Sequence, residues 1–322
     1  MRLGVHVPIA GGLLEAVARA KRLSCTTMQI FSRSPRGGAT SQFSQEEIER
    51  FDIERRRAGI EPLAVHGPYI INLASPEAAM WRQSLRLYQE EYARAARLRA
   101  QYLVTHVGSH RGQGEAAGMA RVSEAINRTL DGAKPPLSAS PRLRLAKPNA
   151  RGQAGVIILL ENTAGSGQGL GYQFEQLAFI RNGVEAKERV GICLDTAHLF
   201  AAGYPIHTEE GLEQAIASFD RVVGLEHLKL IHLNDSKVPF DSRVDRHWHI
   251  GEGHIGLEAF RRMVNHPKLS DLPFVLETPK STVRSGNRNW RAGEREDRRN
   301  LSTVKNLVDA RGRSRRTRRV AA

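Results

Sequence analysis

The chain has 322 residues, 40% of them hydrophobic and 25% charged, which supplies a large core and excludes a globally disordered chain. No apolar run is long enough to span a bilayer, and two cysteines, Cys25 and Cys193, exclude a disulfide framework and suit a reducing cytoplasm. The formal net charge is +14, and still +8 without the six arginines of RGRSRRTRR (311–319), so the body of the chain itself favours a polyanion such as nucleic acid.

The first predicted element is a strand, RLGVHV (2–7), and the surrounding MRLGVHVPIAGG lacks the extended apolar core of a signal peptide. TTMQIFS (26–32) is the second strand. Ser44 before Glu47 has the spacing of a capping box and starts a helix. PLAVH (62–66) follows as the third strand. Over 77–99, Trp81, Leu85, Tyr88, Tyr92 and Ala95 recur at the three-four spacing of one helix face. YLVTHV (102–107) is the fourth strand. Residues 131–154, with four prolines and five lysines and arginines, read as a flexible basic insertion before the fifth strand. VIILLE (156–161), VGICLD (190–195), LKLIHL (228–233) and FVLE (274–277) complete eight strands, with Cys193 a small core residue. The charged stretch 280–300 reads as a long loop after the eighth strand, and residues 310–322 as a disordered tail. Eight continuous aliphatic runs alternating with helices predict an α/β fold, a single-domain TIM (β/α)8 barrel over 1–309.

Six of the eight runs end on a side chain that binds metals: His66, His106, Glu161, Asp195, His232 and Glu277. In a parallel barrel the C-terminal ends of the strands share one rim, so these tips are expected to converge. A lone strand histidine is usually a core residue. An acid closing a buried strand is different, because it needs a cation or donors. His198 follows Asp195 by three, and both face one side if a helical turn begins there. Asp245 and His247, two apart in SRVDRHWHIGEG, share a face if that segment is extended. The glycines of GEGHIG (251–256) let the loop turn tightly, while His249 and His254 fall outside the pattern. Five histidines and four carboxylates suit zinc or manganese, and a purely structural His–carboxylate network is the plainer alternative.

The stretches GVHVPIAGG (4–12), VHGPYIINLASP (65–76), THVGSH (105–110), LLENTAGSG (159–167), ICLDTAHLFAAGY (192–204), HLNDSK (232–237), SRVDRHWHIGEGHIG (242–256) and LETP (276–279) resemble the endonuclease IV family of apurinic/apyrimidinic endonucleases, in the family's order. The resemblance implies a TIM-type barrel holding three zinc ions, with manganese compatible with one site. It places one ion on His66, His106 and Glu161, a second on Glu161, Asp195, His232 and Glu277, and a third on His198, Asp245 and His247. Glu161 would bridge two ions, and Glu277 would orient the nucleophilic water or take its proton. Arg36, Tyr69 and Ile70 match positions that contact DNA. The implied activity is hydrolysis of double-stranded DNA 5′ to an abasic site, leaving a 3′-OH, in base excision repair, with trimming of blocked 3′ ends by the same chemistry. The implied setting is a monomer at the nucleoid of a bacterial-type cytoplasm, without membrane attachment. In the family's His-Pro-Gly stretch this chain has Val107, which is expected to leave that turn less rigid. The insertion, the 280–300 stretch and the tail also depart from the family pattern. A sugar isomerase or epimerase on a related barrel, and a non-catalytic DNA-binding protein, are the competing readings.

Overall fold

Among the residues that this computed structural model describes (1–35, 42–132, 155–280 and 290–309), every predicted apolar run becomes a strand of one parallel sheet. In chain order the strands are β1 (Arg2–Val5), β2 (Met28–Phe31), β3 (Leu63–His66), β4 (Tyr102–His106), β5 (Ile157–Glu161), β6 (Val190–Asp195), β7 (Leu228–His232), the two-residue β8 (Asp235–Ser236) and β9 (His247–Trp248), and β10 (Pro273–Leu276). The large sheet runs β1-β10-β7-β6-β5-β4-β3-β2, and a bridge between His6 and Gln29 brings its two edges nearly to closure. β8 and β9 form a small antiparallel pair that strand patterning did not predict.

The strand period of two decides what lies inside. Ala64, Val104, Leu159, Cys193, Leu230 and Val275 form a separate buried apolar cluster within the sheet. Two residues further along each of these strands stand His66, His106, Glu161, Asp195, His232 and Glu277. The same step in β1 and β2 leads from Gly4 to His6 and from Thr27 to Gln29. All eight strands therefore carry a polar side chain at this level, six of them just above an apolar floor. The alternate residues, such as Val65, Leu103, Leu160, Ile192 and Phe274, belong to the larger core between sheet and helices.

The helices are α1 (Leu13–Arg22), α2 (Gln45–Arg57), α3 (Ala78–Arg97), α4 (Glu115–Gly132), α5 (Phe174–Asn182), α6 (Thr196–Ala201), α7 (Glu209–Val222), α8 (Leu257–Asn265) and α9 (Trp290–Leu307). The capping box that starts α2 is formed: the Glu47 N–H donates to Ser44 Oγ at 3.1 Å, and the Ser44 N–H donates to Glu47 Oε2 at 2.8 Å. Trp81, Leu85, Tyr88, Tyr92 and Ala95 form the buried face of α3, as their spacing predicts. No helix of the described residues is long and apolar enough to cross a membrane.

The stretch 280–300 is not a loop throughout, because α9 begins at Trp290. Its early buried positions are polar and so leave no hydrophobic period. Asp297 takes a 2.6 Å hydrogen bond from Lys280 Nζ, and Asn300 donates to Thr278 Oγ1 at 3.0 Å. Leu301, Val304 and Leu307 supply the apolar anchor only further on. The predicted insertion (beyond Gly132), Arg36 and the C-terminal tail lie outside the described residues.

Gly4 sits where the barrel closes, and a Cβ added there would lie 1.9 Å from the Thr27 carbonyl oxygen. Backbone cannot yield as a flexible side chain can, so overpacking here belongs at the upper end of its usual cost. Gly4→Ala is expected to lower the unfolding free energy by about 3 kcal/mol in urea denaturation. Unchanged stability would show that the strands separate freely at this seam.

Candidate metal centre

The six strand-end residues, His198 of α6 and the loop pair Asp245 and His247 meet at the mouth of the barrel. His66 Nε2 and His106 Nε2 lie 3.1 and 3.2 Å from Glu161 Oε2. The other carboxylate oxygen, Oε1, lies 2.8 Å from His232 Nδ1, which is also 3.3 Å from Glu277 Oε2 and 3.8 Å from Asp195 Oδ2. Asp245 Oδ2 lies 3.2 Å from His198 Nε2, and Asp245 Oδ1 and Asp195 Oδ2 each lie 3.4 Å from His247 Nε2. Among the described residues these donors fall into three groups able to hold a cation: His66–His106–Glu161, Glu161–Asp195–His232–Glu277 and Asp195–His198–His247. Asp245 reaches both histidines of the third group.

Backbone hydrogen bonds fix which nitrogen each ring presents. Nδ1 of His66 donates to the Gly67 carbonyl at 2.7 Å, Nδ1 of His198 to the Asn162 carbonyl at 2.8 Å, and Nδ1 of His247 to the Glu277 carbonyl at 3.2 Å. Each Nε2 is left to face the pocket, as a metal-ligating histidine requires. The Nε2 atoms of His198 and His247 are 3.4 Å apart. Two ring nitrogens this close need a cation between them, a proton or a metal ion. The donor chemistry therefore fits a metal.

Asp195 serves twice. It is the N-cap of α6, its Oδ1 accepting from the His198 N–H at 3.0 Å, while Oδ2 turns to the pocket. This cap starts the helical turn on which a shared side for Asp195 and His198 depended. Asn234 Nδ2 donates to that Oδ2 at 2.6 Å and its Oδ1 accepts from the Glu277 N–H at 2.7 Å. Asn162 Oδ1 accepts from the Asp195 N–H at 2.6 Å. Asp235 has no exposure and accepts four backbone N–H bonds, from Ser236, Gly251, Gly253 and Ile255, at 2.8 to 3.0 Å. It thereby ties the loop that follows His247 to the end of β7. Gln29, Asn162, Asn234 and Asp235 are site residues that sequence reasoning missed. The asparagines and Asp235 stood beside a ligand in LLENT and HLND, and Gln29 is a polar interruption in an apolar strand.

Burial works against charge in this pocket and keeps the His106 pKa below that of an ordinary histidine, but neighbours reverse it for Glu161, His198 and Asp245. Burial raises the Glu161 pKa, but His106 and His232 hold it well below the usual carboxylate range. Burial opposes a charged His198, but Asp195, Asp245 and Glu161 push its pKa well above that of an ordinary histidine. Asp245 is pulled down to about 2, its burial outweighed by His198, His247 and His106. A dication bound here would take the place of protons on these imidazoles in balancing the carboxylates.

At the rim, Tyr69 is 63% exposed and Ile70 45%, so neither is packed away within its loop. The Tyr69 ring stands 6.0 Å from the His66 ring and 5.8 Å from the His106 ring. The turn after His106 does not depend on proline. Val107 is buried, and Asn72 Oδ1 accepts from the N–H groups of Ser109 and Ala74 at 2.9 and 3.1 Å. His249 accepts from Asn300 at 3.1 Å and His254 is exposed, so both stay outside the centre.

The sequence matches the xylose isomerase-like TIM barrel family over residues 17–303. It is 43% identical over 308 residues to a Chloroflexus aurantiacus protein named "Probable endonuclease 4", covering 95% of this chain and 98% of that one. The crystal structure of endonuclease IV from Thermus thermophilus superposes with a TM-score of 0.76 at 34% identity, covering 95% of this chain and 98% of that one. A D-tagatose 3-epimerase-like protein superposes with a TM-score of 0.63 at 17% identity, over 95% and 98% of the two chains, a likeness of fold alone. The chain belongs to the endonuclease IV family of nucleases.

Proposed function

We propose that this protein is a zinc-dependent apurinic/apyrimidinic endonuclease of base excision repair. It cuts double-stranded DNA 5′ to an abasic site, leaves a 3′-OH, and trims blocked 3′ ends by the same chemistry. The observation that carries the reading is the convergence of nine donors into three adjoining groups. One ion would take His66, His106 and Glu161, a second Glu161, Asp195, His232 and Glu277, and a third His198, Asp245 and His247. Zinc suits imidazole and carboxylate, and manganese shares these ligands in any one site. When bound, such ions supply a hydroxide nucleophile near neutral pH and stabilise charge on the phosphate and the departing 3′ oxygen. Three dications against four carboxylates leave a net positive pocket, which suits a phosphate.

The protein's own side chains divide the remaining work. Glu161 is wholly buried and presents one oxygen to each of two groups, which fixes their spacing. Glu277 is partly open to the mouth, with 14% side-chain exposure against none for Glu161 and Asp195. It can therefore reach the attacking water and take its proton. Tyr69 and Ile70, exposed beside the first group, would enter the gap left by the absent base, and Arg36 would engage the strained groove. An abasic nucleotide lacks one set of stacking contacts, so turning it outward costs less than for an intact pair. The protein acts on this substrate as a monomer, in the cytoplasm at the nucleoid. Sugar epimerases share the barrel, but a third metal group and a +14 charge fit a phosphodiester better than a neutral sugar.

A duplex with one abasic site is expected to be cut 5′ to the lesion, with cleavage lost in chelator and restored by zinc. Metal-loaded protein that leaves this duplex intact would instead favour the epimerase reading. Glu277→Gln should retain binding to the duplex while the cleavage rate falls by about 10²-fold or more in single-turnover kinetics. A near-normal rate would remove Glu277 from proton transfer. Affinity for the duplex should drop about 10³-fold between ~50 and ~200 mM salt, as for six phosphate contacts. A flat salt response in a binding titration would mean that the basic surface does not face DNA.

A further inference from the structure

We propose that Gln29 is a positioning residue that sets the ligating nitrogen of His232 and the orientation of Glu277. The inference rests on the metal-centre reading above and deepens it. Gln29 lies within the apolar run of β2 and has no exposure. A buried amide is costly unless its donors and acceptor are used. All are used here, and toward the metal centre. The amide oxygen accepts from His232 Nε2 at 2.8 Å. The amide nitrogen donates to Glu277 Oε1 at 2.5 Å and reaches His6 Nδ1 at 3.0 Å.

The amide cannot be turned over without loss. Glu277 is a carboxylate and needs a donor, so the NH2 group must face it. The oxygen is then left facing His232, which must carry its proton on Nε2. That leaves the lone pair of Nδ1 free to bind a metal, and Nδ1 is the atom 2.8 Å from Glu161 and 3.3 Å from Glu277. His66, His198 and His247 are fixed the opposite way, with Nδ1 tied to backbone carbonyls. One amide thus aligns two ligands of the same group. A methionine would fill the same space but leave the His232 Nε2–H without its acceptor and Glu277 Oε1 with His6 Nδ1 alone, at 3.3 Å.

The test compares wild type with Gln29→Met, a change that nearly conserves volume. Zinc content is measured by elemental analysis, retention by competition with a chromophoric chelator, and stability by thermal melting of the metal-free proteins. The expected result is that one of the bound ions is held about 10–100-fold more weakly, the usual effect of losing a ligand's hydrogen-bond partner, with the others and the metal-free melting temperature little changed. Equal retention of every ion by both proteins would overturn the role of Gln29 while leaving the metal centre standing. A wild type that binds no zinc would overturn the metal centre and this inference with it. A second measurement does not depend on the variant folding. Imidazole nitrogen NMR of zinc-loaded wild type should show His232 bound through Nδ1 and His66, His198 and His247 through Nε2. Binding of His232 through Nε2 would refute the proposal.

Discussion

The charge balance around Glu161 is the constraint on which the mouth of this barrel depends. Its carboxylate has no exposure and lies within 3.2 Å of three imidazoles from three other strands, β3, β4 and β7. A buried carboxylate without compensation costs several kcal/mol or gives up its charge. The strands around it can close only if positive charge sits among them, as protons or as metal ions. The closed barrel makes that arrangement possible, because parallel register brings the last residue of each strand to one level. The apolar floor beneath, from Ala64 round to Val275, keeps water from entering below.

The candidate ligands are held from behind by groups outside the nine donors. Backbone carbonyls choose the nitrogen for His66, His198 and His247, and Gln29 does so for His232. Asn234 links Asp195 to the backbone of Glu277, and Asp235 gathers the glycine loop beyond His247. A site preorganised in this way would hold its ions at a spacing that a bound phosphate does not have to induce. The epimerase-like neighbour shares the fold at 17% identity, a likeness of shape alone.

Much of this was legible in the chain. Strand number and order of elements followed from aliphatic runs, and the donor tier followed because six of the eight runs ended on a histidine or an acid. The capping box at Ser44–Glu47 followed from spacing alone. Other parts were hidden for physical reasons. Gln29 carries no charge, and one amide in a strand reads as a tolerated exception until its partners are seen. Asp235 looks like a turn residue, because its four partners are backbone N–H groups that sequence does not mark. The start of α9 was obscured because Asp297 and Asn300 are buried through hydrogen bonds and break the apolar period. The small β8–β9 pair is too short for alternation to register. Arg36 is a match of motif only, in a stretch outside the described residues.

The central claim is that the nine donors hold a cluster of three ions about Glu161. Crystallographic anomalous scattering at the zinc edge, on protein loaded with zinc, reads this directly. The expected result is three anomalous peaks at the C-terminal mouth of the barrel, two of them on opposite oxygens of Glu161 and the third among His198, Asp245 and His247. Peaks confined to surface histidines, or a mouth without any peak while the nine side chains keep their places, would contradict it.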